Sequence, residues 1–115
     1  MYNNDFSRIE RIEFYCSEMA KAFEKFGKTL EYYQSDFFLR SAISMFLLQI
    51  GEIANGLTET TRIVSPVPWS LIRGLRNRIA HGYDDMNQEI IYDTAVNDIP
   101  KLKEFCEKFL KEHDC

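Results

Sequence analysis

The sequence lacks several features that would place it in whole classes of protein. Its three cysteines, Cys16, Cys106 and Cys115, are odd in number, include no C-x-x-C pair and do not group with His81 or His113. That pattern argues against a disulfide framework and a zinc site and predicts reduced thiols; separately, no cofactor and no bound metal are expected. The N-terminal stretch MYNNDFSRIERIEF has no basic segment ahead of an apolar core, so a secretory signal is not expected. The most apolar run, Ala42 to Ile50, is about half the length that a bilayer crossing needs. No membrane partner is expected, and the expected location is the cytoplasm. Sustained strand-like alternation is missing as well, which removes the β classes.

Basic charge is also in short supply. Fourteen Lys and Arg against 18 Asp and Glu give a formal charge of −4, and the pI is about 5.2. A surface that grips duplex nucleic acid or anionic lipid everywhere is therefore excluded, whereas a local basic site is not. The 115 residues predict one domain over 1–115, and 45% hydrophobic with 28% charged residues suit a soluble fold. A chain of this length buries roughly two thirds of its unfolded surface, so disorder is excluded for most of it.

The patterning is helical. Ile9, Ile12, Cys16, Met19, Phe23, Phe26 and Leu30 recur at steps of three and four, predicting a long first helix that ends or bends near Gly27. Ser35 and Asp36 offer cap oxygens to a second stripe, Leu39, Ile43, Phe46, Ile50, Ile53 and Leu57. Phe38, Ala42, Met45 and Ala54 widen that stripe, as in a central helix touched on more than one side. A loop is expected from Thr58 to Pro66, then a third helix from near Trp69 with Pro68 in its first turn and Gly82 at its end. Ile90, Ile91, Ala95 and Val96 predict a short fourth helix. A last one, capped by Asp98 and tolerating Pro100, carries Leu102, Phe105, Cys106, Phe109 and Leu110. The expected architecture is an all-α antiparallel bundle of four to five helices. Its first two stripes are richer than one small bundle requires, which points to burial against a second copy.

Between Glu59 and Asp84 there is no acidic residue, yet Arg62, Arg73, Arg76 and Arg78 fall there. That window carries +4, while the rest of the chain, with 10 basic and 18 acidic residues, carries −8. Arginine forks can bind phosphate oxygens in pairs, although a solvated helix face has the same composition. Within the window, Arg76-Asn77-Arg78-Ile79-Ala80-His81-Gly82-Tyr83 brings guanidinium, imidazole and phenol groups together. Histidine can take and give a proton near neutral pH. On RNA, such a base removes the 2′-hydroxyl proton, that oxygen attacks the adjacent phosphorus, and an arginine offsets the developing charge, with no metal required.

Helix geometry constrains this idea. At about 100° per residue, Arg76 and His81 differ by roughly 140° around the axis, whereas Asn77 and His81 share a face. Arginine's reach, a distortion near Gly82, or a second protomer facing the first across a two-fold cleft would close the gap. Each residue also has a structural reading. His81 suits a helix C-terminus, Tyr83 can pack over the turn, Asp84 and Asp85 are turn or cap residues, and Trp69 is a packing anchor.

The form R-x4-H-x-Y, from Arg76 through His81 to Tyr83, resembles the signature of the HepT-like toxin family of HEPN domains. The likeness covers nearly the whole chain. Pro68-Trp69-Ser-Leu-Ile-Arg-Gly74-Leu75-Arg76-Asn77 is similar to the family's run into the motif, Ile50-Gly51-Glu52-Ile-Ala54-Asn55 to its central-helix signature, and Glu89 through Pro100 to its C-terminal pattern. Asp84 and Asp85 depart, standing where the family often has an aromatic and a glycine.

The resemblance implies a homodimeric HEPN bundle with the motif at the dimer cleft. It further implies the toxin of a type VII toxin–antitoxin pair, a metal-independent endoribonuclease with RNA, tRNA included, as substrate. By position, Arg76 and His81 are the implied catalytic pair. Asn77, Arg73 and Arg78 would support RNA binding, and Tyr83 would accept AMP from a minimal nucleotidyltransferase antitoxin. AMP there would place phosphate and bulk beside the arginines and block RNA. The competing expectations are a non-catalytic nucleotide- or protein-binding module that docks a nucleotidyltransferase, and a purely structural bundle.

Overall fold

The computed structural model describes residues 3–82 and 88–114, with Asn3, His81 and Gly82 described in backbone only. All regular structure among the described residues is helical. Helix α1 (Asn3–Phe26) presents Ile9, Ile12, Cys16, Met19 and Phe23 to the core, each at most 5% exposed. It stops where the sequence predicts. Gly27 has φ 121°, a conformation that costs glycine little, and its N–H bonds the Phe23 carbonyl at 2.8 Å. The expected stripe therefore loses its last two members: Phe26 is exposed and Leu30 opens a separate short helix, α2 (Leu30–Ser35).

Thr29 caps α2 by accepting from the Tyr32 N–H, and Asp36 caps α3 (Phe37–Ala54) by accepting from the Leu39 N–H at 3.1 Å. Helix α3 is central. Leu39, Ile43, Leu47, Ile50 and Ile53 are buried along it, with α1 packed on one side and α5 (Trp69–Gly82) on the other. By length and composition alone α3 could cross a membrane, but here it forms the core of the bundle. Its outer side keeps Phe38 and Met45 exposed.

The segment expected as a loop contains one further helix, α4 (Glu59–Ile63), because Thr58 caps it and Asp5 secures that cap. The Asp5 carboxylate is buried in α1 and accepts from the Thr58 N–H at 3.0 Å and from the Thr58 and Thr61 hydroxyls at 2.6 Å each. Burial alone would raise its pKa, but these bonds to the charged form outweigh it and hold the pKa below the usual aspartate value. A lowered carboxylate pKa stabilises the fold above the unfolded-state value, and that contribution is lost as pH falls through the folded-state value. Asp5→Ala strands three donors and should cost about 2–3 kcal/mol. In thermal melts, the gap between wild type and Asp5→Asn should be widest near neutrality and shrink below about pH 4.

Helix α6 (Gln88–Asp93) leads through a π-helical turn (Thr94–Asp98) into α7 (Ile99–His113). The turn is closed by the Ile99 N–H on the Thr94 carbonyl. Asp98 stands before α7 as expected but makes no side-chain cap bond, because the helical backbone runs through it without a break. The wider turn lies directly ahead of Pro100, whose ring crowds the carbonyl four residues back in a regular helix and which has no N–H to donate. Helix α7 packs on α1 through Leu102, Cys106 and Phe109.

The long helices thus lie in the order α7, α1, α3, α5 within a body of 44 × 28 × 18 Å. Cys16 and Cys106 are buried free thiols in the α1–α7 region, and burial pushes Cys16 up to about 12 and Cys106 upward as well. At neutral pH both are packing groups, not nucleophiles. Cys115 lies outside the described residues.

Candidate nucleic-acid interface on the edge helix

Helix α5 is the edge element that carries the arginines. The Pro68 carbonyl accepts from the Leu71 N–H at 3.1 Å and starts the helix where the sequence places it. Trp69 is buried and its indole N–H donates to the Arg62 carbonyl at 3.0 Å, tying α5 to the end of α4. This is the packing role, and the ring is not offered to solvent for base stacking. Ile72 and Leu75 are buried and Ile79 packs partly against the core, which fixes the rotation of α5 on α3.

That rotation sets every other position. Arg73, Asn77 and Arg78 are exposed. A side chain added at Gly74 would meet nothing within 4 Å, so the outer surface of the helix is open there. Nine residues after Ile72, His81 takes a place about 180° around the axis from the core stripe, in the last turn of α5. Its side chain, and all of Tyr83, lie outside the described residues.

Arg76 occupies the flank instead, turned toward α3. Its stem crosses Gly51 so closely that an added Cβ at Gly51 would sit 2.6 Å from Arg76 Cβ and 2.9 Å from its Cγ. Its Nε donates to Glu52 Oε1, and its Nη1 donates to Asn77 Oδ1. Arg76 is 27% exposed and Glu52 48%, so the pair sits at the surface.

Four of the six candidate residues, Arg73, Arg76, Asn77 and Arg78, are therefore placed along one edge helix. Arg76 and the His81 position remain about 140° apart, because α5 stays helical to Gly82 and supplies no distortion to converge them. The sequence alone gives Gly51 and Glu52 no role of their own. They stand 25 and 24 residues from Arg76, and no spacing rule links them, although both fall in the quoted Ile50-Gly51-Glu52 stretch.

A cavity of about 640 Å³ opens elsewhere, between the start of α1, α4 and the end of α7, lined in part by Asp5, Thr61, Phe105, Phe109 and His113. It contains none of the candidate residues, and its buried carboxylate is committed to the α4 cap. No group of His, Cys, Asp and Glu among the described residues has the arrangement to hold a metal ion.

The family described as Ribonuclease HepT-like matches this chain over residues 12–109. An inferred RNase from Caldanaerobacter subterraneus subsp. tengcongensis is 32% identical over 87 residues, covering 75% of this chain and 78% of that protein. Two inferred RNases from Methanocaldococcus jannaschii are 31% identical over 85 residues, covering 73% of this chain and 70% of the relative, and 27% identical over 90 residues, covering 76% and 74%. No solved structure matches the chain at a comparable level.

Proposed function

Because the chain belongs to the HepT-like ribonuclease family, we propose that it is a cytoplasmic single-domain endoribonuclease, the toxin of a type VII HEPN and nucleotidyltransferase pair. The observation that carries this reading is the set of arginines on an edge helix whose outer face is open, in a stretch of sequence without acidic residues. Single-stranded or looped RNA, tRNA included, is the substrate class, because an exposed helix flank suits a backbone that can bend to it.

In the mechanism, His81 removes the 2′-hydroxyl proton and the freed oxygen attacks the neighbouring phosphorus. The bond from phosphorus to the 5′-oxygen breaks, and that oxygen leaves with a proton given by the protonated His81, which returns to its neutral form. The products are a 2′,3′-cyclic phosphate and a 5′-hydroxyl. Arg76 offsets charge on the non-bridging oxygens, while Arg73, Asn77 and Arg78 hold flanking phosphates. No cofactor takes part.

A homodimer completes the site. Arg76 of one protomer faces His81 of the other across a two-fold cleft, which removes the 140° mismatch within one chain. The exposed Phe38 and Met45 on α3, on the same side as Glu52, give that contact its apolar area. Tyr83 accepts AMP from the antitoxin, adding negative phosphate beside Arg76 and Arg78.

Purified protein incubated with RNA in EDTA should leave cyclic-phosphate ends. Co-expression with a neighbouring nucleotidyltransferase should add AMP to Tyr83 by mass spectrometry and stop cleavage. AMP on Tyr92 instead would refute the acceptor assignment. Protein that docks the nucleotidyltransferase yet cuts no RNA would be the non-catalytic module.

A further inference from the structure

We infer that Glu52 is a positioning residue for Arg76, holding the guanidinium by its Nε so that its remaining donors are presented to a phosphate. This rests on the ribonuclease reading for its catalytic consequence, and on the α3–α5 contact for its geometry. Arginine has five N–H donors in a rigid fork. Glu52 Oε1 takes the Nε donor and Asn77 Oδ1 takes one donor of Nη1. These two bonds commit Nε and one Nη1 donor. The remaining Nη donors, which have no partner among the described residues, are left for the oxygens of a phosphate.

The stem is fixed by a separate contact. With no side chain at Gly51, Arg76 Cβ and Cγ rest directly on the backbone of α3. Gly51 and Glu52 are consecutive, so one turn of α3 sets both where the side chain leaves its helix and where its head points. A free arginine carries substantial rotamer entropy, most of which would otherwise be lost on meeting the phosphate. Holding the head beforehand removes that loss from the reaction.

Magnitude separates this role from a structural one. With Glu52 48% exposed, an ion pair of this kind contributes little to stability. Its value lies in orientation. A carboxylate that merely neutralised the arginine would act in the opposite sense, since its removal would strengthen RNA binding and speed turnover.

The test compares wild type with Glu52→Ala, Glu52→Gln and Glu52→Asp in single-turnover and steady-state RNA cleavage, alongside the Arg76 Nε–Hε resonance in 15N-labelled protein. Positioning predicts that Glu52→Ala lowers kcat by about 10–100-fold with KM unchanged or lower. Glu52→Asp should recover part of kcat, and the Nε–Hε signal should persist in wild type, weaken in Glu52→Gln, whose amide oxygen still accepts, and exchange away in Glu52→Ala. A kcat that is unchanged or raised in Glu52→Ala overturns the inference, as does a resonance indifferent to the substitution. Wild type that cuts no RNA overturns the ribonuclease reading, and the resonance then decides alone whether Glu52 holds Arg76.

Discussion

His81→Ala should lower RNA cleavage by about 10²–10⁴-fold without a matching loss of stability, because a general base or acid contributes that much to a proton-transfer step. Arg76→Ala should cost about 10²–10³-fold, the loss seen when one donor to a developing oxyanion is removed. Neither loss would come from unfolding. Deleting the Arg76 head breaks a surface pair of about 0–1 kcal/mol and leaves Glu52 solvated, with no unpaired buried charge.

Mixing the two inactive variants tests the two-fold cleft. If Arg76 works with His81 of the opposite protomer, a mixed dimer of Arg76→Ala and His81→Ala chains contains one intact pair, and activity should return to a measurable fraction of wild type. If both groups act within one chain, no intact pair exists in the mixture and activity stays absent. Wild-type activity surviving His81→Ala would remove the acid–base mechanism altogether.

Much of the fold is legible in the sequence because its signals are local. Gly27 ends α1 by its own backbone freedom, Asp36 caps α3, and Pro68 opens α5 at the expected residue. What is not legible depends on partners distant in the chain. Helix α4 exists where a loop is expected because Asp5, more than 50 residues earlier, accepts from its cap residue Thr58 and from Thr61. Asp98 reads as a cap from its type and position, but the π-helical turn ahead of Pro100 carries the backbone through it.

The candidate site divides in the same way. The R-x4-H spacing and the arginine window are contiguous, so sequence alone finds them. The residues that seat Arg76 lie on another helix and emerge only when α5 is laid on α3. His81 and Tyr83 keep their candidate roles from motif position alone.

Gly51→Ala should impair cleavage more than stability. The added Cβ would lie 2.6 Å from Arg76 Cβ, an atom bound to the α5 backbone that cannot rotate away. Restoring ordinary contact requires α5 to move by about 1 Å relative to α3, an overpacking strain of about 1–3 kcal/mol. Alanine's better helix propensity recovers about 1 kcal/mol of that, leaving a net loss of about 0–2 kcal/mol. Displacing Arg76 by the same 1 Å should cost about 10²-fold in rate. A double-mutant cycle isolates the contact. Arg76→Gly removes the clashing Cβ and should restore part of the melting temperature lost in Gly51→Ala, whereas Arg76→Ala keeps that Cβ and should restore none. Both doubles stay inactive, since neither has a guanidinium. If Gly51→Ala melts and cleaves like wild type, α5 does not rest on Gly51 in solution, and the seat assigned to Arg76 is wrong.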